Sequence, residues 1–110
     1  MELAMRADLL VAVEEAKLGM PEVGLGMISG WGGVRRLSEI IGVARARELT
    51  LLGLPITAEK AHAWGLLHAV AKDRTAMEAQ IDAWLERLLS NAPIAMALTK
   101  GLLEIGRAHV

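Results

Sequence analysis

The sequence predicts an α/β fold in which two or three short strands come first and helices fill the remainder. Two observations predict it. An apolar run at 9–13 has the length and β-branching of a short buried strand, and K-L-G-M at 17–20 is a second, shorter strand candidate. From Gly33 onward the apolar residues recur at helical spacing, and glycines close one segment after another. Between the two regimes lies the stretch 17–37, K-L-G-M-P-E-V-G-L-G-M-I-S-G-W-G-G-V-R-R-L. It holds six glycines and a single carboxylate, Glu22, directly after Pro21. Glycine is costly to order, so such a run is kept where backbone turns sharply or passes close to something. A tight structural loop and a loop that serves a site both fit that description.

Composition narrows the classes. A chain of 110 residues is one domain or part of one. Its hydrophobic content of 54% is enough for a core, and the near absence of aromatics leaves Leu, Ala, Val, Ile and Met to fill it. The net charge of −1, with no basic block, argues against nucleic acid or an anionic membrane surface as partner. Without cysteine there is no disulfide, thiol nucleophile or thiolate metal site, and a reducing, cytoplasmic setting is expected. No apolar run approaches the roughly 18 residues of a membrane span.

In chain order, residues 2–7 read as a helix end without a cap, and Asp8 breaks it. The strand 9–13 is followed by a polar turn at Glu14 and Glu15, then by the strand 17–20, which Pro21 stops. Val34, Leu37, Ile40 and Ile41 mark one helix, ended by Gly42. Residues 44–52 form a second, with Ala46, Leu49 and Leu52 inward and Gly53 closing it. Residues 54–56 are an extended connector. Thr57 caps a short helix to Trp64, and residues 66–71 are extended and add a strand. Thr75 and Glu78 have capping-box spacing for a helix to about residue 89, with Met77, Ile81, Trp84, Leu85 and Leu88 on one stripe. Pro93 restarts a last helix that runs to 103.

Taken together, E-L-A-M-x-x-D, A-K-x-G-x-P-E-V-G-L-G, G-x-G-G, R-L, I-G, A-x-E-L-x-L-x-G, I-x-A-E-x-A and W-G-L follow one another at spacings that resemble the crotonase superfamily, the enoyl-CoA hydratases and isomerases. Each piece is weak and the ordered set is specific. The resemblance covers residues 1 to about 103. It implies a partial crotonase-like spiral of β-β-α turns over 1–33, carrying the glycine-rich active-site loop, and a helical region over 34–103. It implies an acyl-CoA thioester substrate, no separate cofactor because coenzyme A is part of that substrate, and a homo-oligomer, trimer or hexamer. It also implies addition of water to a 2-enoyl-CoA by two glutamates. An isomerase using Glu22 alone and a non-catalytic oligomerisation or binding module are the alternatives.

Carried over by motif, Glu2 matches the first hydratase glutamate and Glu22 the second. Gly30 matches the glycine whose N–H helps hold the reacting water. Met20 and Trp31 fall where substrate contacts are expected. Two carboxyls held at different protonation supply both a base for the water and an acid for the α-carbon. Plainer readings stand beside these. Glu2 fits a solvated helix residue, Glu22 a helix-start acid, and Trp31 a packing residue. His62 and His68 have no metal-ligand spacing and fit surface or helix-packing roles. Met20, Met27, Met77 and Met96 fit the core. Arg35 and Arg36 fit a solvated helix face or a phosphate contact. Met20, Ser29 and Val34-Arg35 depart from the usual hydratase residues, which leaves the acyl group open.

Both ends depart from the pattern. Met1 falls at the x of the family's G-G-G-x-E-L, so a truncated member beginning at an internal Met is expected, without the first oxyanion N–H and the coenzyme A-binding strands. Such a chain leaves strand edges unpaired and is expected to be marginal, to associate through its helices and to lack hydratase activity. Residues 104–110, E-I-G-R-A-H-V, match what a widely used sequencing-adapter oligonucleotide encodes in one frame and read as a non-native tail. The coding nucleotides check this. GAG-ATC-GGA-AGA-GCA-CAC-GTC is the expected run, and other codons would refute it.

Overall fold

The computed structural model describes the backbone at residues 1, 3–27 and 32–108 and the side chains among these through residue 104. Expectations placed on Glu2, Ser29, Gly30, Trp31 and His109 lie outside the described residues. The chain divides into two compact units, Met1–Met77 and Glu78–Val110.

The first unit holds all the described strands. Strand β1 (Val11–Val13) pairs in parallel with β4 (Ala69–Ala71), Val11 opposite Ala69 and Val13 opposite Ala71. Strand β2 (Lys17–Leu18) pairs antiparallel with β3 (Ile56–Thr57), Leu18 opposite Ile56. The connector expected at 54–56 therefore ends in a strand. Two residues are too few to show period-two alternation, so the pairing could not be read from the pattern. The expected strand 9–13 is shorter as well. Leu10 is instead tied to His68 by two bonds: the His68 N–H donates to the Leu10 carbonyl (2.8 Å), and the Leu10 N–H donates to His68 Nδ1 (3.0 Å). His68 thus extends the β1–β4 ladder with its ring, a role that its surroundings in sequence did not suggest.

Helices α1 (Gly33–Ile41) and α2 (Val43–Leu52) meet at Gly42, whose φ of 88° suits glycine. Its N–H donates to the Ser38 carbonyl, and its own carbonyl accepts from Ala46. The short helix α3 (Ala58–Ala63) begins where expected, with Thr57 Oγ1 accepting from the Lys60 N–H at 3.1 Å. Leu37 and Ile41 from α1, Ala46 and Leu49 from α2, Ala58 and Ala61 from α3, and Leu66 form the core with Met5 and Met20. Leu52 and Val34, expected inside, are exposed. Met27, expected in the core, is also exposed. In place of a helix end at 2–7 there is one 3-10 turn, Ala4–Arg6, with Met5 turned inward.

Outside the core, Lys60 Nζ lies 3.3 Å from Glu48 Oε2 and 4.8 Å from the Trp64 ring centre, so α2 and α3 are joined by one cation facing two partners. Helix α4 (Arg74–Ser90) starts one residue before its expected cap, because Asp73 Oδ1 accepts from the Ala76 N–H at 2.8 Å. An aspartate outcompetes Thr75 here, in line with the usual ranking of cap residues. Helix α5 (Pro93–Ala108) continues beyond residue 103. In the second unit Ile81 and Trp84 are half-buried, whereas Leu85 and Leu88 are exposed.

Two substitutions test this packing by denaturant unfolding. Thr57→Ala removes the α3 cap and is expected to cost about 1 kcal/mol. A Cβ at Gly19 would lie 3.2 Å from Pro55 Cα, backbone that cannot easily give, so Gly19→Ala is expected to cost about 1–3 kcal/mol.

Candidate functional site around Glu22

Glu22 sits in a 3-10 turn, Pro21–Leu25, that directly follows β2 and its short extension. Pro21 enters the turn with φ already set and no N–H to satisfy. Gly26, with φ of 71°, closes it, its N–H donating to the Val23 carbonyl at 3.1 Å. The Met27 N–H donates to the Glu22 carbonyl at 2.9 Å. The backbone on both sides of the carboxylate is therefore fixed.

Contacts from the 53–55 corner hold the turn in place. Gly53 ends α2 with φ of 65°, and a Cβ there would lie 3.1 Å from Val23 Cγ2 and 3.8 Å from Pro21 Cα. Two residues on, Pro55 meets the backbone of Gly19. Glycine at 19 and 53 thus lets the segment before Glu22 and the turn itself lie against one corner. Met20 is 1% exposed and packs into the core immediately before the turn. Its assignment to a substrate pocket rests on the sequence resemblance.

Glu22 is half-buried, and its Oε2 is shielded from solvent with no hydrogen-bond partner among the described residues. A carboxylate oxygen of this kind is rare in a finished protein, where buried polar atoms nearly always have partners. Arg36 Nη1, on α1, is in the same condition. The two arginines of the R-R pair diverge. Arg35 points outward, its side chain 80% exposed and its Nε 3.7 Å from Glu39 Oε1, whereas Arg36 turns one end inward. The helical period could separate the faces of the pair, but nothing in the sequence marked Arg36 as unpaired.

Of the residues singled out by sequence, Met20 and Glu22 are adjacent and described. Glu2, Gly30 and Trp31 lie outside the described residues, so their distances to Glu22 are not part of the geometry. An open cleft elsewhere in the first unit is lined by Glu14, Thr57, Glu59, His62 and Val70 and does not include Glu22. Among the described residues no group of three or more His, Cys, Asp or Glu could hold a metal ion. No helix among them is long and apolar enough to cross a membrane.

A fold of short strands and stacked helices around a glycine-bounded Pro-Glu turn matches one family. The enoyl-CoA hydratase/isomerase family model matches residues 1–106. The chain belongs to that family, within the crotonase superfamily. It is 35% identical over 105 residues to a short-chain-enoyl-CoA hydratase of Clostridioides difficile, covering 96% of this chain and 67% of that protein. The crystal structure of an enoyl-CoA hydratase from Mycobacterium tuberculosis H37Rv superposes with a TM-score of 0.89 at 42% identity, over 96% of this chain and 42% of that one. A Thermobifida fusca YX protein described as an enoyl-CoA hydratase, in complex with CoA, gives a TM-score of 0.90 at 34% identity, over 96% and 41%. The fold is thus that of the crotonases, mixed α/β with few strands and mostly helix. The chain spans about two-fifths of the length of both crystallised relatives.

The dry Nη1 of Arg36 makes a prediction. Arg36 is half-buried, and replacing it by an apolar group of similar length removes the desolvation cost of its one dry, unpartnered nitrogen. Arg36→Met is expected to raise the stability of the chain by about 1–3 kcal/mol. A fall in the denaturation midpoint would show that the guanidinium is paired.

Proposed function

We propose that this chain is the C-terminal part of an enoyl-CoA hydratase, whose longer form adds water across the double bond of a 2-enoyl-CoA thioester. Glu22 carries the reading: a carboxylate fixed in a closed turn, with one oxygen dry and without a partner among the described residues, in a chain of the enoyl-CoA hydratase/isomerase family. Hydration places the water oxygen on the β-carbon and a proton on the α-carbon, while negative charge passes through the thioester oxygen. Glu22 holds or delivers one of the protons at Oε2. Glu2 is the second carboxyl and handles the other. The Gly30 N–H orients the water, and Trp31 borders the acyl group, with Met20 packed into the core before the Glu22 turn. Two backbone N–H groups of the longer protein receive the charge on the thioester oxygen. Such donors are worth about 10²–10³ each in other enzymes. Coenzyme A enters as part of the substrate, and no separate cofactor takes part.

The family name keeps a second reading open, an isomerase in which Glu22 alone moves a proton between carbons. The proposed setting is cytoplasmic fatty-acid β-oxidation. Homo-oligomerisation is proposed from α5, where Ile94, Leu98 and Leu102 recur at four-residue spacing and are all exposed.

Glu22→Gln in a full-length protein is expected to lower kcat for 2-enoyl-CoA hydration about 10²–10⁴-fold. Retained hydration would remove Glu22 from the mechanism. Turnover of 3-enoyl-CoA in place of 2-enoyl-CoA would select the isomerase. The 110-residue chain itself is expected to turn over crotonyl-CoA no faster than its own Glu22→Gln variant. In sedimentation it is expected to associate, and Leu98→Glu is expected to shift it toward monomer. An unchanged distribution would contradict association through α5.

A further inference from the structure

We draw no further inference here: the strongest candidate, the exposed apolar surface of Val23, Leu25, Leu52 and Leu54 where the Glu22 turn meets the Gly53 corner, is an unpartnered face, and nothing in the structure shows what covers it.

Discussion

Close backbone approach at two glycines is the constraint on which the first unit depends. Gly53 lets the end of α2 press on the Pro21–Leu25 turn, and Gly19 lets the segment after β2 press on Pro55. Between these contacts the chain makes a closed circuit. β2 leads into the turn, α2 ends against it, the 53–55 corner follows, and β3 pairs back onto β2. A carboxylate set in such a circuit has little freedom to drift. The proposed proton transfer would be favoured by that, because misplacement of a reacting group by an ångström is costly in rate.

The same circuit explains why a buried, unpaired oxygen can persist. Leaving a polar group dry without a partner costs about 1–3 kcal/mol, more when it is charged. The turn's own bonds, the Met20 plug and the strand pairing offset that cost locally. Residues held in unfavourable conditions by rigid surroundings are characteristic of functional sites. Arg36 Nη1 carries a similar cost on α1, without the closed turn that surrounds Glu22. Exposed leucines tell a parallel story in the second unit, where Leu89, Leu98, Leu102 and Leu103 remain largely uncovered. Isolated apolar side chains at a surface are ordinary, whereas a large contiguous exposed patch is not.

Much of this was legible from residue types. The glycines at 42 and 53 and the cap at Thr57 fixed three helix boundaries, because each depends on local backbone chemistry alone. The family followed from an ordered set of motifs, and the same set singled out Glu22 as a candidate. What escaped was non-local. The β2–β3 pair is two residues long, the His68 ring accepts from the Leu10 N–H, 58 positions away, and Asp73 outcompeted a well-spaced Thr75. The outward turn of Leu52 and Met27 depends on which surfaces the tertiary fold covers, and no periodicity reports that.

Hydrogen exchange at the Met27 amide, which donates to the Glu22 carbonyl, tests most directly whether the Gly53 corner holds the Glu22 turn. A Cβ at position 53 meets both a left-handed backbone and the Val23 side chain. In a Gly53→Ala chain exchange at Met27 is expected to be faster by roughly tenfold, with the amides of β4 much less affected. Unchanged protection at Met27 would contradict it and leave the position of Glu22 to some other cause.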